Sequence, residues 1–307
     1  MIALTDYELL TEKAGLLERE GRAVLLLEGS EAAEFLQGQV TNDVEALVPG
    51  TGCYAALLSH KGKLRADMRV LRLAEDRLLV DCDAPAAPVL LHTFKTYSLG
   101  RDVRSQDLTE TRVVLSLIGP EARHLVDPAS PEGEHAFTES PHGVHVTTDL
   151  GVDLIVDAAS AVELRTALDV SPVSEEAAEC VRIESGRPRL GFEMDDTTIP
   201  QEAGINERAV SFTKGCYVGQ ETVARLHYRG KPNRHLRGLR LSEPAERGDA
   251  IEIEGKQVGK IGSTCVSPAL GPIALALVRR EASPGDQVLV GDGGAGARVV
   301  ETPFERP

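Results

Sequence analysis

The sequence lacks the features that would assign it to a membrane or to an exported class. No apolar run approaches the roughly 18 residues that a spanning helix needs. The first residues, MIALTDYELL, are acidic and contain no basic region of the kind that begins a secretory signal peptide. We therefore expect no membrane partner and a cytoplasmic location.

Cysteines are few and dispersed. The five are Cys53, Cys82, Cys180, Cys216 and Cys265. None forms a C-x-x-C pair, whereas structural zinc sites and iron–sulfur clusters usually draw on clustered cysteines. An odd number of scattered thiols instead indicates reduced cysteines in a reducing compartment. The sequence therefore predicts no metal site that this chain builds alone.

Positive charge is also scarce, with 33 Lys and Arg against 48 Asp and Glu and a net charge of −15. Such a chain does not attract nucleic acid through its overall field, and we expect no direct nucleic-acid binding. Residues 225–240 reverse the sign, because they contain basic residues and no acid. This favours docking of an anion, either a polyglutamyl tail, a phosphate or an RNA backbone. The alternative is a solvated linker, and RNA is the least favoured anion because only Tyr217 and Tyr228 could stack on bases.

The hydrophobic pattern predicts an α+β fold. Residues 53–82 alternate short β-like runs with turn residues, which is typical of an antiparallel meander. A helix should begin after Ser174 as N-cap and end at Gly186. There is no regular β-α-β alternation, which argues against a doubly wound sheet. After about residue 236, short evenly spaced strands predict a small β-barrel or sandwich, so we divide the chain into 1–235 and 236–307.

A glycine-rich segment near the end of the sequence, residues 291–296, fits the pattern G-x-G-x-x-G. A dinucleotide site requires a helix to begin there within a β-α-β unit. The β-rich sequence ARVVETP follows instead. The segment is therefore interpreted as the loop of a hairpin.

Two polar stretches are candidates for binding. FLQGQVTND, residues 35–43, can be a helix end with Gly38 as a C-cap glycine and an Asx turn. The stretch from residue 182 to 202 concentrates charge where a helix gives way to a loop, and it includes Glu184 and Glu193. The carboxylate of Glu184 could accept two donors side by side, as a 2-aminopyrimidine edge such as that of a pterin offers. The alternative is an ion pair with nearby arginines at the helix end.

A third stretch, SFTKGCYVGQET at 211–222, carries the candidate nucleophile. Gly215 and Gly219 permit tight turns around Cys216 and its neighbour Tyr217. Lys214 precedes the thiol, Arg225 follows, and nearby cations lower the pKa of a thiol. The pattern predicts a reactive Cys216 assisted by Lys214. A buried structural cysteine is the alternative.

Together these stretches resemble the YgfZ family of folate-binding proteins, which are related to the glycine cleavage T-protein, an aminomethyltransferase, and to iron–sulfur cluster assembly proteins. The resemblance runs along essentially the whole chain through KGCYVGQE, FLQGQVTNDV, LSHKGKLRADMRV, RIESGRPRLGFE and ALALVRR. It implies a three-lobed, T-protein-like folate-binding fold, with two α+β lobes in 1–235 and a small antiparallel barrel in 236–307. The implied cofactor is tetrahydrofolate or a one-carbon derivative. The implied partners are iron–sulfur enzymes, including tRNA-modifying ones, or assembly proteins.

The resemblance also assigns residues. Glu184 falls where T-proteins have a pterin-binding glutamate, and Asp67 falls at the acidic position near the reactive folate nitrogens. T-proteins have two acids at that turn where this chain has Ala66 and Asp67, and they lack the cysteine of KGCY. The leading hypothesis is thus a folate-binding accessory protein, with a folate-dependent aminomethyl- or methyltransferase and a docking module that uses residues 225–240 as alternatives. The predicted catalytic residues are Cys216 and Lys214, and the predicted cofactor-binding residues are Asp67, Glu184, Glu193, Tyr217, Arg225 and Arg229.

Overall fold

The computed structural model describes residues 3–126 and 129–306, which form two compact units. The barrel unit comprises Met1–Glu8, Ser174–Asn206 and Glu221–Pro307. The sheet unit comprises Leu9–Val173 and Glu207–Gln220. The division of the chain at residues 235 and 236 stays a prediction.

Helices and antiparallel strands follow one another in a mixed order along the described residues, without regular β-α-β alternation, as the α+β prediction required. The helices are α1 (Leu4–Glu12), α2 (Ala32–Gln39), α3 (Ala87–Tyr97), α4 (Ala161–Leu168), α5 (Glu175–Glu184), α6 (Asn206–Ala209) and α7 (Gln220–Arg229). None of these helices is both long and apolar enough to cross a membrane. The first ten strands are β1 (Gly15–Glu18), β2 (Arg22–Glu28), β3 (Thr51–Leu58), β4 (Leu64–Ala74), β5 (Arg77–Asp83), β6 (Arg104–Asp107), β7 (Arg112–Ile118), β8 (Phe137–Ser140), β9 (Gly143–Thr147) and β10 (Gly151–Asp157). The remaining strands are β11 (Arg234–Leu241), β12 (Ala250–Ile253), β13 (Lys256–Ser267), β14 (Gly271–Arg279), β15 (Gln287–Val290) and β16 (Ala295–Val300).

The sheet unit contains two five-stranded sheets, ordered β3-β4-β5-β2-β6 and β1-β7-β10-β9-β8. The predicted meander of β3, β4 and β5 is confirmed by continuous antiparallel pairing. Leu71 and Leu79 of the first sheet are buried in one cluster with Val144 and Ile155 of the second. The two sheets therefore pack face to face over an apolar core, as sandwiched sheets do.

The barrel unit is built on a closed barrel in the order β11-β14-β13-β12-β15-β16. Closure pairs every edge and leaves no strand free to aggregate. Leu239, Ile251 and Val299 are fully buried within it. The glycine-rich segment joins β15 to β16, which pair with each other, so its interpretation as a hairpin loop is confirmed.

Helix α5 positions the candidate folate residue. Ser174 is its N-cap residue, as predicted, and Glu184 is its last residue. Gly186 follows with φ of +67°, and a Cβ there would lie 2.5 Å from the Thr302 Cβ. Ile183 packs into an apolar cluster with Leu236 of the barrel. The helix end is therefore held against the barrel by packing on one side and by a glycine turn on the other.

Candidate functional site

The carboxylate of Glu184 is buried in the barrel unit and accepts hydrogen bonds from several side chains. It is only 5% exposed. The Tyr7 hydroxyl donates to Oε1 at 2.8 Å and lies 3.0 Å from Oε2. The Ser267 hydroxyl donates to Oε1 at 2.5 Å, and an Arg306 N–H donates to Oε2 at 2.9 Å. Both carboxylate oxygens therefore have donors, which allows the charge to be buried.

These donors differ in how easily they could be exchanged. Tyr7 and Ser267 are buried, whereas the Arg306 side chain is 49% exposed. Burial, followed by the hydrogen bond to Glu184, raises the pKa of Tyr7 to about 12, so the phenol remains a donor. The predicted ion pair at the helix end exists, but its cation is Arg306, 122 residues along the chain. The half-exposed Arg306 is thus the partner of Glu184 that a ligand could replace.

Glu193 belongs to a separate group in the same unit. Its Oε2 accepts the Arg189 backbone N–H at 3.0 Å, and its buried Oε1 has no hydrogen-bond partner among the described residues. Together with Arg247 and Lys260 it lines an open cleft of about 370 Å³. The partners of Glu193 are therefore different from those of Glu184.

The basic segment divides into two parts. Arg234, Arg237 and Arg240 donate to carboxylate or carbonyl oxygens of the barrel unit at 2.8, 2.9 and 2.7 Å. Arg225 and Arg229 lie on α7 and are exposed, and their guanidinium groups have no hydrogen bond or ion pair to another described residue. Residues four apart share a helix face, so these two cations form one exposed pair. The solvated linker is not observed, because most of the segment is helix or barrel strand.

Lys214 is buried at the end of α2 in the sheet unit. Its ammonium donates to the backbone oxygens of Gln37, Val40 and Asn42 at 2.6, 2.7 and 2.8 Å. An ammonium has three N–H donors, and all three are used. Burial lowers the pKa of Lys214 to about 8. These contacts make Lys214 a cap for carbonyls at a helix end, and its catalytic role stays a prediction.

The stretch FLQGQVTND is the partner of the segment that contains Lys214. The helix continues through Gln39 and its C-cap is Val40, so the prediction of Gly38 as a C-cap glycine was wrong. The Gly38 carbonyl accepts the Val218 N–H at 3.3 Å. The Thr41 hydroxyl donates to the Ala209 carbonyl at 2.5 Å. The two stretches that the sequence presented separately therefore form one hydrogen-bonded structure.

Cys216 is exposed in this anchored loop, which excludes the alternative of a buried structural cysteine. Its neighbour Tyr217 is buried, and the Tyr217 ring lies 5.2 Å from the Lys214 Nζ. Burial raises the pKa of Tyr217 to about 12. Gly219 has φ of +84° and a Cβ there would lie 2.5 Å from the Ser59 oxygen, whereas Gly215 faces open space with no such φ. The backbone at Gly219 therefore requires glycine, whereas the backbone at Gly215 does not.

Asp67 on β4 is half-buried and accepts the Tyr54 hydroxyl at 2.6 Å. Burial raises the pKa of Asp67 and, with Asp67 itself, that of Tyr54. The Arg208 guanidinium lies 5.3 Å from the centre of the Tyr54 ring. Ala56 is the cross-strand partner of Asp67, so Tyr54 stands on the same sheet face, diagonal to the acid. Strand register could therefore have identified Tyr54 from the sequence.

The predicted site residues form local groups within each unit. Lys214, Cys216 and Tyr217 share one loop of the sheet unit, and Asp67 is paired with Tyr54. Three further residues were missed by the sequence analysis and are the donors to Glu184 named above: Tyr7, Ser267 and Arg306. No three His, Cys, Asp or Glu side chains of the described residues gather as metal ligands.

The chain is similar to curated proteins along most of its length. An aminomethyltransferase of Rubrobacter xylanophilus is 30% identical over 324 residues, covering 98% of this chain and 86% of the relative. The tRNA-modifying protein YgfZ of Colwellia psychrerythraea is 28% identical over 263 residues, covering 80% of this chain and 77% of the relative.

A solved structure and two family domains agree on the fold. The glycine cleavage system aminomethyltransferase T from Bartonella henselae matches with a TM-score of 0.89 at 24% identity, covering 98% of this chain and 89% of that chain. Residues 2–160 match the GCVT N-terminal domain. Residues 234–305 match the glycine cleavage T-protein C-terminal barrel domain. The chain therefore belongs to the glycine cleavage T-protein family.

Proposed function

We propose that this protein binds tetrahydrofolate or a one-carbon derivative and serves as an accessory protein in the assembly, repair or maintenance of iron–sulfur enzymes in the cytoplasm, including enzymes that modify tRNA. The observation that carries the accessory role is the exposed thiol of Cys216 in its anchored loop. Similarity to a tRNA-modifying protein, YgfZ, supports the same role.

The surroundings of Glu184 support folate binding. Its carboxylate is held by two buried hydroxyl donors and one half-exposed guanidinium. A guanidinium presents parallel N–H donors, and so does the 2-amino edge of a pterin. A pterin edge could thus take the place of Arg306 while Tyr7 and Ser267 keep the carboxylate oriented. Asp67, Tyr217 and Glu193 remain proposed cofactor-binding residues.

The chemistry of Cys216 fits an accessory role better than a resident cluster. One thiol can supply a single ligand to a cluster in transit, attack an electrophile or exchange with another thiol. Burial raises the pKa of both Cys53 and Cys82 to about 12, although the Lys214 charge opposes the rise at Cys53. Those two thiols stay protonated at neutral pH, and Cys216 is the one exposed thiol among the five cysteines.

A folate-dependent aminomethyl- or methyltransferase is the second candidate. It is favoured by the similarity to an aminomethyltransferase, which is 30% identical and covers 98% of this chain. It is also favoured by Asp67, whose carboxyl is held in place by the Tyr54 hydroxyl. Asp67 is a single acid at this position of β4, next to Ala66, and this argues against a transferase.

Exposed cations on α7 support a site for an anionic extension of the ligand. Arg225 and Arg229 have no partner among the described residues, so neither cation is neutralised by an acid of this chain. A polyglutamyl tail carries the complementary negative charge. The same surface could dock an acidic partner protein, which is the role of the third candidate, a docking module.

The decisive experiment is a calorimetric titration with tetrahydrofolate, followed by an assay for methylene-tetrahydrofolate release from an aminomethyl donor. Binding without turnover is expected, turnover would identify a transferase, and absence of binding would leave only a docking module.

A second experiment tests the thiol. Cys216→Ser should bind folate normally yet fail to restore iron–sulfur enzyme activity in cells that lack the native protein. Thr213→Ala, an exposed neighbour in the same loop, is the matched control and should restore it. Full restoration by the serine variant would refute the role of the thiol.

A further inference from the structure

Two other cysteines approach each other inside the barrel unit. Cys180 lies on α5 and Cys265 on β13, and their sulfur atoms are 3.3 Å apart. The Cys265 S–H donates to the Cys180 sulfur. The Cys180 S–H in turn donates to Glu184 Oε1, with 3.6 Å between the sulfur and the oxygen. The two thiols and the carboxylate thus form a short chain of hydrogen bonds.

We propose that Cys180 and Cys265 form a reversible disulfide, which makes the pair a redox modification site of this protein. A disulfide bond is about 2.05 Å long, so the sulfurs must approach by roughly 1.3 Å. Both residues lie in one compact unit, on a helix and a strand that pack against each other. This proposal does not depend on folate binding or on Cys216.

The two thiols differ in accessibility, which sets the order of the reaction. Cys265 is half-buried, whereas Cys180 is fully buried. The hydrogen bond from Cys265, and then burial, raises the pKa of Cys180. The thiolate is the attacking species in thiol–disulfide exchange, so the exchange begins at Cys265.

The reaction balances with a small disulfide such as oxidised glutathione as the oxidant. The Cys265 thiolate attacks one glutathione sulfur, the glutathione S–S bond breaks, and one glutathione leaves as a thiolate that takes up the proton of Cys265. Cys180 then loses its proton and attacks the Cys265 sulfur, and the second glutathione leaves with that proton. Two S–H bonds are replaced by one protein S–S bond, and oxidised glutathione becomes two reduced molecules.

The disulfide would alter the carboxylate beside it. The Cys180 S–H, one of the donors to Glu184 Oε1, is consumed, while Tyr7, Ser267 and Arg306 remain. It would also tie the middle of α5 to β13 across 85 residues of chain. A cross-link over a loop of that length restricts the unfolded chain and so stabilises the folded unit.

The test uses the full-length wild-type protein and oxidised glutathione, with alkylation of the remaining thiols and peptide mapping. We expect a peptide that joins Cys180 to Cys265, with the loss of two hydrogen atoms, and its disappearance on reduction. The exposed Cys216 should form a glutathione adduct, which shows that the reagent acted. Cys53 and Cys82 should be alkylated only after denaturation.

Two variants test the order of events. Cys180→Ala should trap a glutathione adduct on Cys265, whereas Cys265→Ala should leave Cys180 unmodified. The oxidised wild type should unfold at a higher temperature than the reduced protein, and neither variant should show that shift. Complete modification of Cys216 while Cys180 and Cys265 are both recovered as free thiols would overturn the proposal. If a variant does not fold, the wild-type peptide map decides alone.

Discussion

Two buried charges of opposite sign, Lys214 in the sheet unit and Glu184 in the barrel unit, are satisfied in different ways. The Lys214 ammonium binds three backbone carbonyls. The Glu184 carboxylate binds side-chain donors, and one of them, Arg306, is half-exposed. Both sets of partners offset the free-energy cost of burying a charge away from water.

The difference indicates what each charge can do. Backbone carbonyls at the end of α2 cannot leave Lys214 unless the helix end or the loop unfolds. A side chain such as Arg306 can rotate away and be replaced by a ligand with similar donors. We therefore interpret Lys214 as part of the fold and Glu184 as part of a binding site.

Lys214→Met gives the largest expected effect and tests the first half of this comparison. Methionine fills a similar volume but donates no hydrogen bond, so three carbonyls lose their partner. Since an unsatisfied buried polar group costs about 1–3 kcal/mol, we expect the free energy of unfolding to fall by about 3 kcal/mol. Urea denaturation followed by circular dichroism measures this change.

Lys61→Met is the control for that measurement, because Lys61 is an exposed turn residue of the same unit. Its change should be within about 0.5 kcal/mol. Equal stability of Lys214→Met and Lys61→Met would contradict the structural role. It would return Lys214 to consideration as a group that acts on Cys216.

Glu184→Gln tests the second half of the comparison. Glutamine keeps the size but loses the charge that strengthens each hydrogen bond to the ligand. We expect tetrahydrofolate affinity to fall by about 2 kcal/mol, measured by calorimetry. Arg306→Gln should bind at least as tightly as wild type, because a competitor for the carboxylate is weakened.

The control for Glu184→Gln is Glu176→Gln, which changes an exposed acid in the first turn of the same helix. Its affinity should match wild type. A folded Glu184→Gln protein with unchanged affinity would exclude the pterin assignment. Weaker binding by Arg306→Gln would mean that Arg306 contacts the ligand rather than competing with it for the Glu184 carboxylate.

Features governed by local sequence could be predicted. Three such features depend on residues that are close together in the sequence. They are the N-cap at Ser174, the β3–β5 meander and the hairpin at residues 291–294. The same local reasoning failed at Gly38, because glycine also occurs inside helices and α2 continues to Val40.

The partners of the candidate residues could not be predicted, because they come from distant parts of the chain. The donors to Glu184 stand at positions 7, 267 and 306. The acceptors of Lys214 stand more than 170 residues before it. Sequence proximity suggested that Lys214 serves Cys216, whereas the fold directs its ammonium to α2. Motifs therefore identified the important residues but not the atoms that they contact.

The pH dependence of stability sharpens the comparison at Lys214. Its pKa is lowered to about 8 by burial, against about 10.4 in an unfolded chain. Between these values the folded protein has released a proton that the unfolded chain still binds, so stability rises with pH. The difference in unfolding free energy between wild type and Lys214→Met should grow by about 1 kcal/mol from pH 8 to pH 9. A difference that shrinks over this range would show that the folded lysine keeps its proton.

The smallest expected effect concerns the third kind of charge, the exposed cations of α7. The guanidinium groups of Arg225 and Arg229 have neither a backbone nor a side-chain acceptor among the described residues, so replacing both by Gln should leave stability unchanged. Exposed ion pairs contribute about 0.2–1 kcal/mol each, so affinity for polyglutamylated tetrahydrofolate should fall severalfold at low salt. Affinity for the monoglutamate should not change, and the selectivity should vanish at high ionic strength because salt screens exposed charges.

The matched control replaces Lys256 and Arg280, two exposed cations of the same unit, and should leave both affinities unchanged. Equal losses for the two ligands in the α7 variant would show that these arginines are not a site for the tail and that they act instead on a part of the ligand that both forms share.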